Sequence, residues 1–169
     1  GGRVIADVVE CGLEDIGKIH AQGLILEKVP PESAAYPENL KGPYWVANNL
    51  IFFVGAWNTE KVKKEEEPKF LEDLGDPRWK GRLIGEPRDY EILIGLTHKY
   101  KSLEKARAVL ARIAANNVEF HSSHSQLAEL LVAGQAAACF TCYSHHFPAR
   151  KKKGAPVDFM LSEGAAGII

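Results

Sequence analysis

Four of the six histidines fall in two short polar stretches, His121-Ser-Ser-His124-Ser125 and Thr141-Cys-Tyr-Ser-His145-His146. A third stretch of similar character is Glu86-Pro-Arg-Asp-Tyr-Glu91. Each combines hydroxyl, imidazole, carboxylate or guanidinium groups with a position at which a helix is predicted to begin. Unpaired N–H groups at a helix start favour an anion by about 0.3–1 kcal/mol. The three stretches therefore predict one polar, partly cationic binding surface made by Arg88, Asp89, Tyr90, Ser123, His124, Ser125, Tyr143, Ser144 and His145. Part of that chemistry has a plainer reading, since Asp89, Ser102 and Ser125 are each suited to capping a helix N-terminus. Capping and binding do not exclude one another.

A different chemistry is suggested by Cys139-x-x-Cys142-x-x-His145-His146, whose spacing is like that of zinc ligands and contains a C-x-x-C pair. It supports an alternative reading as a zinc-type metal-binding protein or hydrolase. Strand alternation opposes that alternative. If Cys139 lies within a strand, a period of two points it away from Cys142 and leaves it a small buried residue. The chain has no G-x-S-x-G elbow, phosphate-cradling Gly-Lys-Ser/Thr loop, H-E-x-x-H or G-x-G-x-x-G. No nucleophile, resident metal or cofactor is predicted, and the chain reads as a binder rather than an enzyme.

The elements that must position these residues follow from hydrophobic periodicity. Val4 to Val9 reads as a buried strand, and Leu13, Ile16, Gly17 and His20 recur at helical spacing up to Gly23. Pro30, Pro31 and Pro37 break up the segment that runs to Pro43, which predicts an irregular excursion. Trp45 to Trp57 is aromatic and β-branched, as one long strand or two consecutive ones would be. Lys61 to Glu67 is a solvated run of both charge signs.

From Arg82 the order becomes regular: a strand to Gly85, helices from about Tyr90 and from Ser102, a strand Val118–His121 and a helix bearing Leu127, Leu130 and Leu131. A strand Ala136–Thr141, a helix ending in Arg150 to Lys153, and a last strand Val157–Leu161 complete it. Strands separated by helices imply crossover connections, so the fold class is α/β with a mainly parallel sheet flanked by helices. In such sheets ligands bind at the carboxyl ends of the strands, where all three polar stretches lie.

Composition narrows the partners. With 21 basic and 22 acidic residues, the formal net charge is -1, and no field gathers nucleic acid. The longest apolar run, Leu50 to Val54, falls far short of the roughly 18 residues that cross a bilayer. Three cysteines, Cys11, Cys139 and Cys142, argue against a disulfide-stapled framework but allow one bridge.

The order of motifs resembles the iron-type periplasmic solute-binding proteins of ABC transporters, which have the type II periplasmic-binding-protein fold. The resemblance is carried by Ala6-Asp7-Val8-Val9 before a helix ending Gly23-Leu24, by Trp57-Asn58-Thr59, and above all by Leu71-Glu-Asp-Leu-Gly-Asp-Pro-Arg-Trp-Lys-Gly-Arg-Leu83. Leu131-Val-Ala-Gly-Gln-Ala136 and Lys153-Gly-Ala-Pro-Val157 extend it over most of the chain. It implies a periplasmic, two-lobed receptor that closes on a small-molecule or ion ligand and presents it to an ABC permease.

In ferric-binding members, adjacent tyrosines supply ligands near the position held here by Ser144-His145; that pair is absent, although Tyr143 is nearby and His124 is close to another ligand-contacting position. Ferric iron prefers phenolate and carboxylate oxygen, so a small anionic or polar solute is favoured over a bare metal. Set against the family pattern, residues 1–43 read as a remnant of the first lobe, 44–161 as the ligand-binding lobe and 162–169 as a tail. A remnant lobe would expose apolar surface, which predicts self-association.

Overall fold

β4 (Ala138–Tyr143) lies at the centre of a five-stranded sheet ordered β3-β2-β4-β1-β5, in which β1 is Leu50–Asn58, β2 is Leu83–Gly85, β3 is Glu119–Phe120 and β5 is Val157–Ile168. The computed structural model describes residues 6–168. β2 runs parallel to both β3 and β4, so the carboxyl ends of these three strands share one edge of the sheet. β1 runs antiparallel to β4. The helices are α1 (Leu13–Ala21), α2 (Glu91–Tyr100), α3 (Leu103–Ala114), α4 (His124–Val132) and α5 (Pro148–Lys152). Among the described residues two compact units result, residues 6–50 with 167–168, and residues 51–166.

The second unit has an apolar layer on each face of its sheet. Phe53, Trp57, Leu83, Ala138 and Phe140 join Trp79, Leu74, Ile92, Leu96, Val109 and Ile113 in one layer. Their strand neighbours Val54, Ala56, Ile84 and Cys139 join Leu127, Leu131, Phe147 and Val157 in the other. Successive strand residues thus go to opposite layers, and both faces are covered by helices, as a sheet with crossover connections requires. α3 buries Ala106, Val109 and Ile113 at helical spacing, and its N-cap Ser102 accepts from the Lys105 N–H. Gly85 admits no side chain, because a Cβ there would lie 2.1 Å from Phe140 Cε1.

Several expectations are corrected. Ala6–Val9 is not a strand: Val8 is 85% exposed, and among the described residues it has no neighbouring strand to supply a ladder. Val4 and Ile5 lie outside the described residues. The aromatic segment from Trp45 becomes a strand only at Leu50, after an isolated bridge between Val46 and Lys41. The last strand does not end at Leu161 but continues to Ile168.

Asn58 closes β1 and is buried. Its Nδ2 donates to Leu131 O at the end of α4 (2.8 Å), and its Oδ1 accepts the N–H groups of Glu60 (2.9 Å) and Lys61 (3.1 Å). The Asn58→Ala variant leaves these groups without partners and is expected to lose about 2–3 kcal/mol of stability. A lower urea midpoint with an unchanged slope checks this.

Candidate functional site

Three turns leave the shared carboxyl edge of β2, β3 and β4, and side chains tie them together. From the first, the backbone N–H of Glu86 donates to Thr141 Oγ1 on β4 (2.8 Å). The Glu86 carboxylate is only 3% exposed and accepts from Arg88 Nε (2.6 Å) and from the Arg88 backbone N–H (2.5 Å). Arg88 then reaches the second turn, where its Nη2 donates to Ser122 O (3.3 Å). The guanidinium is itself largely exposed, just before the first residue of α4.

Asp89 makes the second tie. His124 Nε2 lies 3.0 Å from Asp89 Oδ2, with both side chains nearly buried. Burial raises the Asp89 pKa, while hydrogen bonds from His124 and Thr141 pull the other way. The third tie is aromatic: the His124 ring stacks on Tyr143 at 3.5 Å and 10°, and Phe53 meets Tyr143 edge-on at 5.2 Å. Phe53 is the β1 partner of Tyr143 in the ladder, so strand register brings these rings together.

Burial and the carboxylates of Asp89, Glu91 and Glu86 push Tyr143 up to about 12, so its hydroxyl is a neutral phenol that can donate a hydrogen bond. His145 and His146 complete the cluster, with ring centroids 5.6 and 6.2 Å from Tyr143 and 4.3 Å from each other. His146 is lowered to about 4, first by burial and then by the neighbouring His145, Arg150 and His124.

The predicted residues divide accordingly. Arg88, Asp89, His124, Tyr143 and His145 are brought together. Tyr90, 46% exposed, is instead the N-cap residue of α2. Asp89 does not cap α2, because its carboxylate is engaged by His124. Ser123 rather than Ser125 caps α4, accepting from the Gln126 N–H (3.4 Å), which places Ser125 within the first turn. The Ser144 carbonyl accepts from the Phe147 N–H at 3.3 Å.

Sequence reasoning missed Phe53, and it placed Glu86, Thr141 and His146 within the polar stretches without counting them among the binding residues. Glu86 and Thr141 carry no spacing signal, since their roles depend on burial and on contact across the sheet. A surface cavity of about 670 Å³, lined by Glu72, Asp76, Lys80, Arg112 and Asn116 among others, lies near the C-terminal end of α3, away from these turns.

The zinc-like spacing does not become a metal centre. Cys142 lies in the apolar layer with Cys139, and burial raises its thiol far above the ordinary range. Among the described residues, no group of three or more His, Cys, Asp or Glu side chains is placed to hold a metal. The expectation that alternation separates the two cysteines is also wrong, because a bulge in β4 turns both to the same layer.

Residues 16–168 match the family of bacterial extracellular solute-binding proteins. The chain belongs to that family. Its fold agrees with iron-bound HitA from Pseudomonas aeruginosa (TM-score 0.74, 21% identity, covering 93% of this chain and 54% of that one). It agrees equally with the periplasmic binding protein AfuA from Actinobacillus pleuropneumoniae with exogenous fructose-6-phosphate bound (TM-score 0.77, 18% identity, 94% and 56%). An ABC transporter substrate-binding protein from Bradyrhizobium japonicum aligns similarly (TM-score 0.71, 22% identity, 93% and 54%). This family member therefore spans about half the length of those structures. No curated protein sequence matches it. An extracytoplasmic location follows from the family, and among the described residues no helix is long and apolar enough to cross a membrane.

The lowered pKa of His146 has a sign. The unfolded histidine takes its proton near 6.5 and the folded one only near 4, so unfolding takes up a proton between those values. This contribution to stability is present above pH 6.5 and is lost as the pH falls through 4. An NMR titration should place the His146 midpoint near 4, and His146→Asn should flatten the acid loss of stability across that window.

Proposed function

We propose that this chain is the ligand-gripping part of an extracytoplasmic receptor for an ABC importer, and that it holds a small polar solute through an anionic group without performing chemistry on it. The observation that carries the reading is the placement of Arg88. Glu86 holds its Nε edge and Ser122 O takes one terminal nitrogen, so the exposed guanidinium is fixed beside the start of α4. An anion there meets a guanidinium and the positive end of a helix together. Tyr143 as a neutral donor, with His124 stacked on it, His145 near it and Ser123, Ser125 and Ser144 in the same two turns, suits the hydroxyls of an organic solute. Tyr90 would stand at the margin. The donor set favours this over ferric iron, which prefers phenolate or carboxylate oxygen, because Tyr143 is held as a neutral phenol and the Glu86 and Asp89 carboxylates are engaged by Arg88 and His124. A permease is the expected partner of the whole receptor.

Thermal-shift titration with sugar phosphates, inorganic phosphate and ferric citrate tests this. A ligand at a hundred times its Kd adds about 2.7 kcal/mol. Sugar phosphates are expected to raise the Tm, and Arg88→Ala is expected to weaken that binding at least tenfold, in addition to the fall in unliganded Tm that comes from leaving the buried Glu86 carboxylate without its guanidinium partner. A response to ferric citrate alone, or one indifferent to Arg88→Ala, overturns the reading.

Exposed Val8, Val9, Leu24 and Leu26 in the first unit favour self-association of this chain. Sedimentation velocity should show a dimer or larger species whose share grows with concentration. Replacing Leu24 and Leu26 with serine should shift it to monomer.

A further inference from the structure

In a regular strand, residues three apart face opposite sides of the sheet. β4 departs from this because Val54 pairs with Cys142 and Ala56 with Cys139, so three steps along β4 oppose two along β1. The extra residue forms a bulge at Phe140-Thr141, and the phase of the strand changes across it. Ala138 and Phe140 lie in one apolar layer and Cys139 in the other; past the bulge, Cys142 joins Cys139 and Tyr143 faces the layer of Phe140.

Both cysteines are fully buried in the same apolar layer, and Cys139 is among the neighbours that, after burial itself, raise the Cys142 thiol. Their positions oppose partners two residues apart on β1, a rise of about 6.8 Å in antiparallel strands. That is at the upper end of the roughly 4.4–6.8 Å over which disulfides join α-carbons.

We propose that Cys139 and Cys142 are a disulfide-forming pair, closed in the oxidising extracytoplasmic space, that pins the β4 bulge beneath Tyr143. The inference rests on the extracytoplasmic location of the family and is independent of which solute is bound. The oxidant is another disulfide. One cysteine thiolate attacks it, forming a mixed disulfide and releasing one thiol. The second cysteine thiolate then displaces the remaining half. The Sγ–Sγ bond forms, both S–H protons are lost, and the oxidant departs as two thiols carrying the two electrons.

In the folded chain, burial makes the thiolate scarce and keeps oxidants out, so the bond closes before α4 packs over β4. Residue placement explains the consequence. The pair flanks the two bulged residues, and Thr141 and Tyr143 beside it carry the ties to Glu86, Asp89 and His124.

The test uses Cys11→Ser, which leaves only this pair. The protein is unfolded, refolded with a mixture of oxidised and reduced glutathione, then denatured and alkylated with iodoacetamide for mass spectrometry. The expected product carries no alkyl group, is two hydrogens lighter than the reduced chain, and has the circular dichroism of a sample kept reduced throughout. The reduced sample should alkylate at both cysteines. Alkylation at both sites after oxidative refolding, a glutathione adduct on either, or a closed bond found only in unfolded protein overturns the proposal.

Discussion

β4 is paired on both edges and covered on both faces, and every part of the polar cluster is referenced to it. Through β2 it fixes the turn that carries Glu86, Arg88 and Asp89; through β1 it sets Phe53 opposite Tyr143. A strand so enclosed cannot slip by one residue without sending each side chain into the wrong layer. The bulge is the one place where this phase changes. It allows Cys142 to stay in the α4 layer while Tyr143, next in sequence, joins the opposite one.

The electrostatics follow from this enclosure. Glu86 and Asp89 are carried towards the interior by the turn after β2, where an unpaired carboxylate would be costly. Each is met by a partner: the side chain and backbone N–H of Arg88 from the same turn for Glu86, and His124 and Thr141 from the other two turns for Asp89. Such buried pairs add little net stability but make a wrong arrangement expensive, because removing one partner strands the other. They therefore hold the turns in one geometry. With Glu86 turned inward, the Arg88 guanidinium is left at the surface beside α4, and charge and position are set by the same contact.

Much of this was legible in the residues. Periodicity located α2, α3, α4 and the strands between them, and Gly134 and Gly154, both at positive φ, mark the ends of α4 and α5. Crossover spacing sent three polar turns to one sheet edge, which is where they lie. Local patterns did not settle which side chain in a turn does which task. Ser123 caps α4 where Ser125 was expected, and Asp89 turns to His124 although it is a sound capping residue. Neighbouring hydroxyls and carboxylates differ too little in intrinsic preference for sequence to separate them. Ala6–Val9 has the composition of a strand, yet a strand exists only where another supplies its ladder.

What the sequence determined by itself, then, was the order of elements, the α/β class and the stretches that carry polar chemistry, because periodicity and capping act over a few residues. Pairing and burial belonged to the tertiary structure. Phe53 meets Tyr143 through register, the turn at Glu86 is anchored across the sheet because its N–H meets Thr141, and Cys139 faces the same way as Cys142 because β4 bulges against β1. Each of these joins residues distant in the chain or depends on a partner strand, and no local pattern encodes that.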